Sequence, residues 1–156
     1  MESYHIPMET GEAQIIEKKS RFLAQLTPIH TEAEALTCLE QRRKKYWDAT
    51  HHCYAYILQK GGLITRFSDD KEPPQTAGKP ILDILLAAGI QNAILIVTRY
   101  FGGTKLGTGG LTRAYKDAAK AVIDATPIGR MLYGSEVLIT VEYVFVNQVQ
   151  TLLRQI

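Results

Sequence analysis

Cysteine is scarce. The 156 residues contain two, Cys38 and Cys53, too few for a disulfide framework, so the reducing cytoplasm is the expected compartment. Long apolar runs are missing too. The most apolar stretch, residues 93–97, is strand-sized, against the roughly 18–20 apolar residues a membrane span needs, so no membrane association is expected. The opening Met1-Glu2-Ser3-Tyr4-His5 has no basic segment leading into an apolar one, and no secretory signal is expected from it. Neither sign of charge dominates: 18 Lys plus Arg face 16 Asp plus Glu, a formal net charge of +2. That excludes a uniformly basic nucleic-acid coat and an acidic tail protein, and leaves any charged function to local placement. Internal repeats and low-complexity segments are absent. What is present, 46% hydrophobic and 22% charged residues, is the composition of a globular protein with length for one domain, or one and part of a second.

The patterning predicts alternating strands and helices. Residues 13–29 read as a hairpin or bent strand pair, broken by Glu17-Lys18-Lys19-Ser20. Thr31-Glu32-Ala33-Glu34 reads as a capping box opening a helix to about residue 47, with Leu36, Leu39, Arg43 and Tyr46 at helical spacing. Residues 53–58 and 63–67 form a second hairpin across Gly61-Gly62. A polar loop over residues 68–79 precedes a helix with Pro80 in its first turn and Gly89 at its end. Residues 93–98 have the pattern of a central strand covered on both faces. Leu111, Ala114, Tyr115, Ala118, Ala119, Val122 and Ile123 then mark the clearest amphipathic helix. Pro127 and Gly129 signal a boundary. Beyond it, Val137, Ile139 and Val141 alternate as in a strand over residues 136–146, with Asn147 a candidate cap for a final helix. A strand and one helix cannot bury their own apolar faces, so residues 135–156 read as the beginning of a small second α+β domain, or an appendage on the first.

Candidate chemistry concentrates between the predicted central strand and the long helix. The segment from Arg99 to Tyr115 holds five of the twelve glycines, Gly102, Gly103, Gly107, Gly109 and Gly110. A helix N-terminus offers unpaired amides and a positive dipole end, and glycine lets the backbone approach an anion closely. Thr104, Thr108 and Thr112 add hydroxyls, and Lys105, Arg113 and Lys116 add charge near Arg99. Five basic residues against one acid between residues 99 and 120 make this the basic part of the chain. Residues 1–98 hold eleven basic against twelve acidic side chains, and residues 99–156 seven against four. The spacing matches neither a Walker A loop nor Gly-x-Gly-x-x-Gly; it leaves open a phosphate contact, a protein contact and a purely structural loop.

The run Arg99 to Tyr115, the upstream Asp69-Asp70-Lys71-Glu72-Pro73-Pro74-Gln75-Thr76-Ala77-Gly78-Lys79-Pro80 and the N-terminal Lys18-Lys19-Ser20-Arg21-Phe22 together resemble the YigZ/IMPACT family of translation-linked proteins, over roughly residues 20–122. The family pattern has Gly where this chain has Lys71 and Gln75, and Asn where it has His52. The resemblance implies an α+β sandwich of the ribosomal protein S5 domain 2-like class over residues 1–128, followed by the start of a ferredoxin-like domain at 135–156, expected to be truncated. It also suggests RNA contact, by analogy of fold.

The expectation is therefore a translation-associated regulatory or binding protein without catalytic residues or cofactor, contacting RNA backbone or a ribosome-associated partner. Its site would comprise Arg99, Gly102, Gly103, Thr104, Lys105, Gly107, Thr108, Gly109, Gly110, Arg113 and Lys116. An enzyme acting on a phosphorylated small molecule, with the same loop as anion cradle, is the competing class. The acidic residues Asp69, Asp70 and Glu72 read as a solvated loop in preference to a cation site, with ion pairing of Asp70 or Glu72 to Arg99 or Lys105 equally open. No metal site is expected at His51-His52-Cys53, because adjacent strand residues face opposite ways and no second ligand pair follows; His51 or His52 reads instead as a polar group near the glycine loop. Cys38 and Cys53 read as structural thiols, and Arg42-Arg43-Lys44-Lys45 as mostly solvated surface. Oligomeric state is left open.

Overall fold

Two hairpins and one central strand make the main sheet of the computed structural model, which describes residues 3–156. β1 (Tyr4–Pro7) comes first and lies outside that sheet. β2 (Gly11–Glu17) and β3 (Ser20–Pro28) are joined by Lys18-Lys19. Both lysines have left-handed backbone, φ 46° and 67°, which matches the right-handed twist of the strands they link. β4 (His51–Gln59) and β5 (Leu63–Ser68) pair across Gly61-Gly62 as expected. β6 (Ala93–Tyr100) lies between β3 and β4, antiparallel to both, completing the order β2-β3-β6-β4-β5. Its residues are buried from Ala93 to Arg99, because helices cover both faces of the sheet.

Side-chain alternation divides the core in two. Phe22, Leu26, Ala55, Leu95 and Val97 face α2 (Gly78–Ala87) and α3 (Gly107–Asp124). Tyr56, Leu58, Ile94 and Ile96 face α1 (Glu32–Lys45). The result is α+β: a mixed chain built on antiparallel sheet.

Helix ends follow local chemistry. Thr31 accepts the Glu34 amide at 3.1 Å, and the Glu34 carboxylate reaches back to the amide of His30 at 2.7 Å, one residue before the cap. Gly89, at φ 66°, ends α2 with its N–H on the Leu86 carbonyl and that of Ile90 on the Leu85 carbonyl, a Schellman closure. In α1 the buried stripe is Ala35, Leu39 and Arg42, while Leu36 points outward, one position off the expected register. The basic run is therefore only partly solvated. Arg42 is buried because its head group meets Glu12 at 3.2 Å and lies 4.5 Å from the Tyr46 ring centre. In α3 the predicted stripe is buried from Leu111 to Val122.

Three expectations near the C-terminal end are corrected. Pro127 and Gly129 mark no boundary: β7 (Ile128–Met131) pairs with β1, with Gly129 opposite Ile6. No strand forms over residues 136–146. Residues 132–142 have neither helix nor strand, and a 3-10 turn at Tyr143–Phe145 leads into α4 (Val146–Arg154). The alternating pattern finds no neighbouring strand to bond, and Leu138 is 94% exposed. Asn147 is inside α4, which starts without a side-chain cap. Among the described residues no helix is long and apolar enough to cross a membrane.

Candidate functional site

The loop between β5 and α2 turns inward rather than toward solvent. The Asp69 carboxylate accepts backbone N–H groups from Gln75 (2.9 Å), Ala77 (3.1 Å) and Gly78 (2.8 Å), and so satisfies amides at the start of α2. The Asp70 carboxylate accepts the His52 amide at 2.7 Å, and its carbonyl lies 2.7 Å from His51 Nδ1. Asp70, Lys71 and Gln75 all have positive φ, at 40°, 71° and 63°. Glycine is the residue that adopts such backbone without strain, and here three other residues hold it.

Glu72 is the centre of this arrangement. It is 6% exposed, and its two oxygens meet Arg99 Nη1 at 2.9 Å each, the Tyr115 hydroxyl at 2.5 Å and His51 Nε2 at 3.1 Å. Arg99 Nη1 and the Tyr115 hydroxyl donate to it, and the His51 ring lies beside the same carboxylate. Of the pairings left open by the sequence, Glu72 with Arg99 is the one formed. The expectation of a solvated acidic loop is corrected for Asp69 and Glu72, whose oxygens are committed to backbone and buried side chains. Among the described residues no group of three His, Cys, Asp or Glu could hold a metal ion.

Besides Arg99, the Tyr115 phenol and the Cys53 thiol near Glu72 are buried and uncharged. Burial pushes the Tyr115 phenol far up, with neighbouring Cys53 and Glu72 adding to it, so it acts as a donor. Burial likewise raises the Cys53 thiol, which lies 3.1 Å from the Asp69 carbonyl and 3.3 Å from the Tyr115 hydroxyl. Cys38, on α1, is raised chiefly by burial as well. Neither thiol is poised as a nucleophile. His52, bonded through Nδ1 to the Thr98 hydroxyl at 3.0 Å, is lowered by burial, partly opposed by the Asp70 charge.

A cavity of about 340 Å³ opens beside this network. His51, Glu72 and Arg99 form its polar side. Pro73, Phe101, Leu106 and Leu111 form its apolar walls, and Lys105, Gly107 and Thr108 bring in the start of α3. No side chain caps that helix start. Arg99 Nε is buried and has no acceptor. The cavity therefore offers a mostly apolar lining with His51, Arg99 and Lys105 as its basic groups.

The residues singled out from the sequence fall into three groups. Thr104, Lys105, Thr108 and Arg113 are exposed around the start of α3, with Lys116 partly exposed further along the helix. Gly103 and Gly107 have left-handed backbone (φ 91° and 74°), and Gly109 and Gly110 lie in the first turn of α3. Gly102 serves packing: a Cβ there would stand 2.1 Å from the Lys19 carbonyl carbon, and its N–H donates to Ser20 Oγ at 3.1 Å. Arg99 does not face solvent. The network partner missed from the sequence is Tyr115, whose place in an apolar helical stripe hid its hydroxyl; a buried phenol needs a partner, and that was the available signal. Lys18 was missed as a cation of the site. The packing of Gly102 sets the β2–β3 turn beside the glycine segment, so that Lys18 and Arg113 line one shallow depression together with Glu17 and Asp117.

The family model described as the Impact N-terminal domain matches residues 18–123. The chain is 44% identical over 115 residues to IMPACT family member YvyE of Bacillus subtilis (strain 168), covering 74% of this chain and 53% of that protein. It is 35% identical over 159 residues to IMPACT family member YigZ of Escherichia coli (strain K12), covering 99% and 77%. The chain thus spans about half the length of the Bacillus relative. A crystal structure described as that of an hypothetical protein superposes with a TM-score of 0.79 at 33% identity, covering 99% of this chain and 76% of the other. The two-domain translational regulator Yih1 superposes with a TM-score of 0.50 at 24% identity, covering 76% and 48%, a likeness of fold alone.

Proposed function

The chain belongs to the IMPACT family, and from that premise we propose that it is a translation-associated regulatory protein that contacts RNA backbone through the start of α3 and the adjoining β2–β3 turn. The carrying observation is the uncapped helix start flanked by exposed cations from two segments, Lys18 and Lys19 on one side and Lys105 and Arg113 on the other. The likeness to a protein described as a translational regulator supports the cellular setting. The Glu72 carboxylate, the one that lines the cavity, is held by Arg99 and Tyr115 and so is not free to act as a base, which favours binding over catalysis. We assign the body from β1 to β7 to the ribosomal protein S5 domain 2-like class, and residues 135–156 to the opening of a ferredoxin-like unit. The latter is supported by the apolar residues Val137, Leu138, Ile139 and Val141, which are exposed and pack against no partner within the body.

Fluorescence anisotropy with labelled single-stranded RNA, titrated from about 50 to 200 mM salt, tests the contact. Each lost phosphate contact lowers the slope of log affinity against log salt by about 1, so the Lys105→Ala/Arg113→Ala double variant is expected to flatten it by about 2. An unchanged affinity and slope overturns the RNA contact. Ribosome association that survives nuclease and high salt would move the contact to a ribosome-associated protein.

A further inference from the structure

We propose that the corner of the molecule where α1 ends is a base-stacking site for single-stranded nucleic acid, built on Trp47 with the rings of Tyr46 and Tyr100 beside it. It lies on the opposite face of the sheet from α3 and does not depend on the contact proposed there. Two independent features converge. The first is the placement of the rings. Ile16, Arg21 and Tyr100 stand opposite one another across β2, β3 and β6, on the face that packs against α1, and α1 stops at Lys45 without covering them. Tyr46 closes that helix with its ring at right angles to Tyr100, the centres 6.4 Å apart. The Tyr100 hydroxyl donates to the Asp48 carboxylate at 2.8 Å. Tyr100 thus holds both chain neighbours of Trp47, while Trp47 itself is 80% exposed. A large ring on a fixed backbone, with few torsions to lose, is suited to anchor a ligand. The second feature is charge. The Arg21 guanidinium lies 4.6 Å from the centre of the Tyr100 ring, and the Lys45 ammonium 5.4 Å from that of Tyr46. Both cations are exposed, as are Arg43 and Lys44, and among the described residues none of the four is in an ion pair. The dipole of α1 accounts for basic residues in its last turn. It does not account for Arg21, which comes from β3, or for an exposed tryptophan.

Rings interleaved with unpaired cations select the partner by chemistry. Unpaired bases stack on aromatic faces while Arg and Lys meet the phosphates between them. A duplex keeps its base faces inside its own stack. An acidic peptide would answer the cations and leave the Trp47 ring unused, and an apolar protein surface would bury the cations without partners.

The chain has one tryptophan, so intrinsic tryptophan fluorescence reports on Trp47 alone. Titrating the full chain with a single-stranded RNA of about 12 nucleotides is expected to quench that emission saturably, and the matching duplex to quench it far less. In anisotropy with the same RNA, labelled, Trp47→Ala should weaken binding by about five- to a hundredfold, the scale of one base–aromatic stack, with the salt slope unchanged. Trp47→Phe should restore most of the affinity. Arg21→Ala/Lys45→Ala keeps the tryptophan and should flatten the salt slope by about 2. All these substitutions are at exposed side chains, and an unchanged circular dichroism spectrum is expected of each. Absence of saturable quenching, Trp47→Ala binding as tightly as the parent, or a duplex quenching as strongly overturns the proposal. Equal quenching by polyglutamate also overturns it and assigns the site to an acidic protein segment. The contact at α3 is scored separately through Lys105→Ala/Arg113→Ala. RNA binding that depends on Lys105 and Arg113 but not on Trp47 rejects the stacking site and keeps the α3 contact, and the converse rejects the α3 contact alone.

Discussion

Glu72 joins four elements through one carboxylate: its own loop, β4 through His51, β6 through Arg99 and α3 through Tyr115. Removing one partner of a buried pair leaves the other as an uncompensated charge. Glu72→Ala is therefore expected to lower unfolding free energy by about 3–5 kcal/mol in urea denaturation. The Glu72→Leu/Arg99→Met pair, which removes both charges and restores volume, should recover part of that loss; a double variant no more stable than the single one would refute this account. His52 carries a different prediction. Burial depresses its pKa in the folded protein, so the unfolded chain binds the proton more readily. The stabilisation of the neutral ring is present in full above the unfolded value near 6.5 and is lost as pH falls through the depressed folded value. Thermal unfolding between pH 7.5 and 5 should show a smaller loss of stability for His52→Asn than for the parent.

Among the elements, the strands and the long helix were readable because their periodicity records burial directly. The run at residues 93–98 is covered on both faces, and the stripe from Leu111 to Val122 lies on the sheet. In α1 Leu39 is buried as expected, while Ala35 and Arg42 take the places expected of Leu36 and Arg43, Arg42 being buried by an ion pair that no hydropathy pattern registers. The glycine segment was readable as special but not as divided in purpose. Gly102→Ala would drive a methyl into the β2–β3 turn, at 2.1 Å from the Lys19 carbonyl carbon, and a loss of about 1–3 kcal/mol is expected, as for overpacking. Gly109 is helical and its Cβ would meet only the end of the Arg113 side chain, at 3.7 Å. Gly109→Ala should accordingly gain about 0.5–1 kcal/mol. Equal effects of the two substitutions in chemical denaturation would contradict this division.

At the scale of the whole molecule, the body from β1 to β7 contains every buried residue among those described, and none of residues 132–156 is buried. Ending the chain after Gly134 should therefore leave the melting temperature of the remainder within about 2 °C, less than a change of about 1 kcal/mol produces in a domain of this size. A drop of more than about 4 °C would mean that the exposed apolar residues from Val137 to Phe145 do contribute to the body. Local patterns were sufficient for the strands of both hairpins, the central strand, the amphipathic helix and the family, since each depends on residues close in sequence. The tail strand was misread for the complementary reason: alternation marks a candidate strand, and a ladder requires a neighbour. The candidate site belongs to the second kind. Residues 51, 72, 99 and 115 meet only because β4, β6, α3 and the β5–α2 loop converge, and burial there turned an apparently solvated acidic residue into the internal partner of Arg99. Hydrogen-bond saturation and desolvation depend on three-dimensional neighbours, so the cavity beside Glu72 could be decided only by the folded chain.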